Sequence, residues 1–487
     1  MQEFLCPQCG ASVRFASAGA VMVVCGTCRS TITKDAGVAR TVGRMAAVVE
    51  DGSPVQIGTR GHQGTQRFNV IGRLRMQYEA GGWNEWYVLF DDGTNGWLSD
   101  ASDQYALTRR LDAPVLPAPL PAFEDLHVGQ PVKIDGVLYL VSDKRESRCV
   151  GGEGELPVNA ADGWDARAAD CRRGRAFATL DYTDGAPVIY AGNASERTDL
   201  TPTTLRSPES ILASAGRYRG QVLPLDCPNC GAAITIVAAM ATQVVCPSCS
   251  SVVDCTGDRA EVIEANHRLA RIHTTLALGA RGQLGVEYTI IGIMRCEVPD
   301  DDEEPEWTEY LLFNPERGYH WLVETDDGWQ RVTVSDEWPS EVGIASCKFR
   351  GMTWPQKYTY NARVKAVFGA FNWRVRRGDE TRITDFQNLG QTLTREQTSE
   401  EITWSLATTT SAPTISKAFG VPIAPKPRKV AASSDDSVDD ATSPLSIAIF
   451  ASMFLCIFSD MISGPAMLLG LALIWVPLVV GWYVSTT

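Results

Sequence analysis

The sequence predicts a mainly β chain, a tandem repeat in which a small four-cysteine ribbon precedes a β-sandwich or small β-barrel module, closed at the C-terminus by a hairpin of apolar helices. Three observations carry this reading. Eight of the 14 cysteines fall in two sets of identical spacing, the residues around them recur at an offset of 221, and from Leu445 to Val484 Asp460 is the single charge. At 487 residues the chain exceeds one ordinary domain, and 44% hydrophobic with 21% charged residues suits folded cores rather than disorder.

The cysteine sets are Cys6, Cys9, Cys25 and Cys28, and Cys227, Cys230, Cys246 and Cys249, each with 15 residues between its second and third member. A two-residue gap lets a tight turn aim two thiolates at one ion, and the spacer returns as a hairpin carrying the second pair. Four thiolates close a tetrahedral shell, so two structural zinc ions are expected, with no coordination position open for chemistry. Redox pairs and disulfides fit this doubled spacing less well. The other cysteines, Cys149, Cys171, Cys255, Cys296, Cys347 and Cys456, stand outside any such pair and read as buried or incidental thiols.

The repeat continues past the ribbons. Ile57-Gly58-Thr59-Arg60-Gly61 returns as Leu278-Gly279-Ala280-Arg281-Gly282, Phe68 to Gly72 as Tyr288 to Gly292, Trp83-Asn84-Glu85-Trp86 as Trp307-Thr308-Glu309-Tyr310, and Gly96-Trp97-Leu98 as His320-Trp321-Leu322. Short β-branched and aromatic runs at Arg67 to Tyr78, Trp86 to Phe90, Val132 to Val141 and Phe177 to Tyr182, punctuated by Asp92-Gly93 and Asp135-Gly136, read as strands. Few stretches before the C-terminal segment have helical spacing, the strongest being the connectors, Ala39 to Glu50 and Ala260 to His273. The division that follows is ribbon 1 at 1–35, module 1 at 55–200, ribbon 2 at 221–256, module 2 at 276–410, a flexible Pro/Ser/Ala/Asp-rich linker at 411–444 and a membrane hairpin at 445–484.

The order of these motifs, a CPxC ribbon, an IGxRG-like turn, a strand ending in VIG, WxEW or WxEY, and a closing GWL or HWL, resembles bacterial proteins carrying the DUF4178 domain, here in two copies from Met1 to about Gly420. Further family-like features are Gly154-Glu155-Leu156-Pro157 and Gly369-Ala370-Phe371-Asn372-Trp373. Glu401-Ile402-Thr403-Trp404-Ser405 is another, with no evident counterpart after Ile189 in the first copy. The resemblance implies a fold label rather than a reaction, and a context of membrane-associated bacterial systems, sometimes beside polyamine-synthesis enzymes.

The segments Leu445 to Ser459 and Ala466 to Val484 flank Asp460 to Pro465 and approach the length of about 20 apolar residues that a spanning helix needs; one kinked span is the rival to a hairpin. Lys426, Arg428 and Lys429 precede them and no Lys or Arg follows, so the modules are expected on the cytoplasmic side of the inner (cytoplasmic) membrane. The start, Met1 to Cys6, shows no cleavable signal pattern. A net charge of -14, with ribbon 1 at +1 and ribbon 2 at -2, argues against a nucleic-acid partner.

No phosphate-binding loop, HExxH or GxSxG motif occurs. The candidate binding residues are Glu85 and Glu309, each between aromatics at the same repeat position, with Arg60 and Arg281 as expected ion-pair partners and Trp86 and Tyr310 as groove walls or core. The acidic run Asp300 to Glu306 suits a cationic partner. Two function classes follow: a non-catalytic, membrane-tethered binding or scaffold protein with protein partners, or an enzyme or accessory subunit acting on a small cationic metabolite such as a polyamine. A deep cleft in which Glu85 or Glu309 points inward would favour chemistry, and a filled core with the carboxylate paired at the surface would favour the scaffold.

Overall fold

The computed structural model describes residues 2–35, 38–44, 52–159, 163–214, 225–227, 229–234, 243–246, 249, 251–254, 261–264, 273–299 and 305–424. In the first ribbon, β1 (Gln2–Leu5) and β2 (Ser12–Phe15) form one hairpin, and β3 (Met22–Val24), β4 (Ser30–Asp35) and β5 (Val38–Arg44) form an antiparallel run that joins the sheet of the module after it. The connector expected to be helical therefore begins as a strand. Its Val38, Thr41 and Val42 suit an extended chain, and pairing with β4 satisfies an edge that a helix would leave open. The second connector likewise starts as a strand, as shown below; the remainder of both lies outside the described residues.

Module 1 comprises β6 (Arg60–Gln63), β7 (Gln66–Tyr78), β8 (Gly81–Phe90), β9 (Asn95–Ala101), β10 (Gln104–Arg110), β11 (Pro131–Ile134), β12 (Val137–Leu156), β13 (Trp164–Arg173), β14 (Ala176–Asp181) and β15 (Val188–Ser195). Of the two expected architectures, the barrel is the one formed. The order β12-β13-β14-β15-β10-β9-β8-β7 closes because β7 pairs back onto β12, and every pairing is antiparallel. Closure removes the sheet edges. The 20-residue β12 does three jobs: Leu140–Cys149 pair with β13, Gly151–Gly154 with β7, and Gly154–Leu156 with β3 of the ribbon. The ribbon is thus stitched to the barrel by main-chain bonds. Asp135 and Gly136, at φ 48° and 80°, make the tight turn that the sequence signalled before β12.

The second half follows the same plan. Its ribbon strands are β16 (Leu225–Asp226), β17 (Ala233–Ile234), β18 (Gln243–Val245), β19 (Val252–Asp254) and β20 (Glu261–Glu264), and α1 (Pro208–Ser214) precedes them. The barrel and its flanks are β21 (Arg281–Leu284), β22 (Val286–Glu297), β23 (Glu306–Asn314), β24 (Gly318–Thr325), β25 (Gly328–Val334), β26 (Glu341–Val342), β27 (Ser346–Phe349), β28 (Met352–Phe371), β29 (Glu380–Asn388), β30 (Gln391–Gln397) and β31 (Ile402–Thr410). Strands β22 and β28 close it as β7 and β12 close the first, and β18 pairs with β28 at Gly369–Phe371. Strand β31, which carries the Ile402 to Ser405 motif, occupies the place of β15: each lies between the strand before it and the fourth strand of its barrel. The first copy therefore does contain the counterpart that its sequence after Ile189 hid. Only the side chains differ, with Trp404 buried where Ile189 is buried.

Both barrels pack their outer faces under non-barrel chain. Phe123 and Leu126 cover Ala169, Cys171, Ala178, Leu180 and Ile189, and Val55 and Leu200 cover Phe68, Trp86, Val88, Leu98 and Leu107. In the second copy the cover is α2 (Ala412–Phe419), capped by Ser411 Oγ accepting from Thr414 N at 3.2 Å and ended by Gly420 at φ 68°. Ile415 and Phe419 are buried in the cluster with Tyr310 and Leu322. The segment from 411, expected to be flexible, therefore begins as docked helix. Gly282 makes room for this: a Cβ there would meet the Phe419 ring at 2.5 Å, and one on Gly61 would meet Leu200 O at 2.8 Å. The linker beyond residue 424 and the hairpin expected at 445–484 lie outside the described residues; among the described residues no helix is long and apolar enough to cross a membrane.

Met1–Pro425 form one compact unit in which the barrels share a seam. Bridges Asp143 to Glu401 and Gly81 to Trp373 join them, Lys144 N donates to Glu400 O at 3.0 Å, and Arg145 reaches both Asp143 and Glu401.

Candidate functional site

The turn between β1 and β2 presents Cys6 and Cys9, and that between β3 and β4 presents Cys25 and Cys28. Sγ separations are 3.6 Å for Cys6 and Cys28 and 3.7 Å for Cys9 and Cys25, with the same two values for Cys227 and Cys249 and for Cys230 and Cys246. A tetrahedron with metal–sulfur bonds of about 2.3 Å has edges of about 3.8 Å, so either group can hold one metal ion, and the donor set is consistent with zinc. Ser30 and Ser251 place hydroxyls 3.2 Å from Cys28 and Cys249 Sγ, a second layer repeated in both ribbons that pulls each of those thiols down to about 6.

A second site lies inside the barrels. Alternation along β8 sends Trp86, Val88 and Phe90 to the covered outer face, leaving Trp83 and Glu85 for the lumen. Trp83 Nε1 donates to Glu85 Oε1 at 2.6 Å, and Ser99 Oγ on β9 donates to its two oxygens at 3.0 and 2.8 Å. Asp170 on β13 accepts from Thr179 on β14 at 2.7 Å, and its charge acts on Glu85. The second barrel builds the same pairs. Trp307 Nε1 donates to Glu309 at 2.6 Å, and Thr394 donates to Asp385 at 2.6 Å. Register confirms the equivalence, since Asp170 faces Thr179 and Asp385 faces Thr394 directly across their strand pairs. Glu396, which accepts from Ser405 at 3.3 Å, adds a further carboxylate to the second lumen.

Desolvation inside the barrels raises the pKa of every one of these carboxyls, Glu85 and Glu396 to about 7. Ser99 and Trp83 hydrogen bonds oppose the shift at Glu85, and the Glu309 charge adds to it at Glu396. Both lumens open on one cavity of about 1530 Å³ whose wall includes Trp83, Glu85, Asp170, Trp307, Glu309 and Glu396.

Arg60 and Arg281 are not the partners of these carboxylates. Arg60 is level with Asn69 and hence with Leu89, four residues along β8 from Glu85, which is about 13 Å at about 3.3 Å per residue. Arg281 is exposed and pairs with Glu287 at 3.6 Å. Trp86 and Tyr310 are core: each is buried on the outer face, donating to Asp100 at 3.3 Å and Glu324 at 2.9 Å. Residues 300–304 of the acidic run lie outside the described residues, while Glu306 is held by Arg295 and Lys365. Sequence reasoning missed Asp170, Thr179, Asp385, Thr394 and Glu396. The signal for the first four was an offset of 215 between Asp170 and Asp385 and between Thr179 and Thr394, displaced from the offset of 221 at the ribbons by unequal loops.

No curated protein and no solved structure matches the chain. The model of a domain of unknown function, DUF4178, matches residues 56–197 and 277–412, one copy on each barrel and together more than half of the sequence, so the chain belongs to the DUF4178 family.

Proposed function

We propose that the chain is a binding protein whose barrel lumens each hold a small organic cation, with zinc-stabilised ribbons capping the barrels and the segment 445–484 tethering the whole to the bacterial cytoplasmic membrane. One observation carries the ligand class: the Trp–Glu and Asp–Thr pairs recur in both lumens and face a single cavity. Carboxylates held by indole N–H groups in an aromatic-lined cavity suit an ammonium group, which gains ion pairing and, over a ring face, cation–π attraction. A bare metal ion suits them less, because among the described residues only the two thiol sets bring three or more His, Cys, Asp or Glu ligand atoms within 4.8 Å.

Glu85 and Glu309 both line the cavity, which supports a second reading in which either carboxyl acts as general acid or base on the same cationic ligand. The thiol that lines the cavity, Cys296, is pushed far above its ordinary range by burial and by Glu309, which disfavours its thiolate at neutral pH. Calorimetric titration of the full chain with n-butylamine is expected to show two binding events per chain. Glu85→Gln and Glu309→Gln should each remove one, and a double variant that binds as the parent does would refute the reading.

A further inference from the structure

The two lumens are not chemically alike. Register places Arg172, two residues beyond Asp170 on the same face of β13, where the second barrel has Gln387 two residues beyond Asp385. In the same way Arg145 stands where the second barrel has Tyr360. Arg145 is already engaged by Asp143 and Glu401. Arg172 makes no ion pair among the described residues, although the charges of Asp170 and Asp336 act on it. It lies 5.4 Å from the Phe177 ring and 5.5 Å from the Trp338 ring and donates one terminal nitrogen to Asp336 O, while its Nε is shielded from solvent and has no hydrogen-bond partner. A buried guanidinium N–H without an acceptor is costly, and the planar guanidinium fork matches a carboxylate. Arg172, Asp170 and Glu85 all line the same cavity.

We infer that the first lumen takes a zwitterion, an aliphatic amino acid whose ammonium sits at Glu85 and Asp170 and whose carboxylate is received by Arg172, while the second lumen takes a simple amine. The inference rests on the proposed cation-binding function and narrows its ligand class. Asp170 and Arg172 are about 7 Å apart along the strand, which sets the scale of separation between the ligand's two charges.

The experiment is calorimetric titration of the full chain with glycine, β-alanine, γ-aminobutyrate and ε-aminocaproate, with n-butylamine as the amine-only control. At least one amino acid should bind a single site about tenfold or more tighter than n-butylamine, and Arg172→Gln should abolish that preference without weakening n-butylamine. Gln387→Arg is the converse variant and should create a second amino-acid site; it decides the matter if Arg172→Gln fails to fold. If no amino acid is preferred, if Arg172→Gln keeps the preference, or if Gln387→Arg gains nothing, the inference is overturned while the cation-binding function stands. If n-butylamine also fails to bind, both are overturned.

Discussion

Glu85→Gln should stabilise the protein at alkaline pH. Had Glu85 been paired with an arginine, its removal would strand a charge and destabilise the fold. Its hydrogen-bond partners are instead Trp83 and Ser99, and a glutamine oxygen can accept from both. Burial raises the carboxyl from 4.5 to about 7, so between those values the folded chain holds a proton that the unfolded chain has released. Stability therefore falls as pH rises through this window and is lowest above about 7. The displacement corresponds to at most about 3 kcal/mol, of which about 1–2 kcal/mol should reach the folding equilibrium once the site relaxes around the charge. At roughly 1–2 °C per kcal/mol for a compact unit the size of Met1–Pro425, Glu85→Gln should melt about 1–4 °C above the parent at pH 8 and match it near pH 4.5. The assay is thermal unfolding across that range, repeated with n-butylamine, which should raise the parent's melting temperature at pH 8 more than the variant's. A variant that melts below the parent at pH 8 would refute the reasoning and restore an ion pair at Glu85.

Elemental analysis of the purified chain should return two zinc ions, and Cys25→Ser should lose one of them and speed amide exchange at Gly154 to Leu156, the segment that pairs with ribbon strand β3. Gly154→Ala and Gly369→Ala should each cost about 2–4 kcal/mol in denaturant unfolding, because these residues sit at φ 68° and 84° and an added Cβ would lie 2.3 Å from Ile71 O and 2.4 Å from Ile291 O. Reporter fusions at Thr487 should be active on the cytoplasmic side if 445–484 crosses twice, and active on the outer face only if it is one kinked span.

The ribbons were legible because metal geometry imposes a spacing, and the duplication because the same glycines recur where the fold leaves no space for a side chain. Gly154 and Gly369 mark where β12 and β28 pass from pairing with the barrel to pairing with the ribbon, and Gly61 and Gly282 mark where the chain after the last strand docks. The lumen was not legible. A closed barrel whose outside is covered by its own loops presents two apolar faces, so period-two alternation along β8 does not say whether Glu85 or Trp86 points inward. The pairing of Arg60 with Glu85 expected from the sequence fails on register, which sets Arg60 level with Leu89, four residues along β8 from Glu85. The connectors misled for a related reason: helical spacing in Ala39 to Glu50 competed with an unpaired edge on β4, and the ladder prevailed over its first residues.

What the two halves keep and what they change separates packing from ligand chemistry. Both keep the lumen carboxylates Glu85 and Asp170, or Glu309 and Asp385, together with the indole and hydroxyl that hold them. Buried carboxyls with raised pKa values reduce stability at neutral pH, and an apolar side chain would remove that cost. The fold tolerates such a change, since Val323 stands opposite Glu309 where Ser99 stands opposite Glu85. The halves diverge instead at neighbouring positions, Arg172 against Gln387, Arg145 against Tyr360 and Met76 against Cys296, which set the charge and shape of the space around the retained acids. Two acids kept at a cost in each barrel, within walls that differ, is the pattern expected of two related binding sites with different ligands rather than of two copies of one packed core.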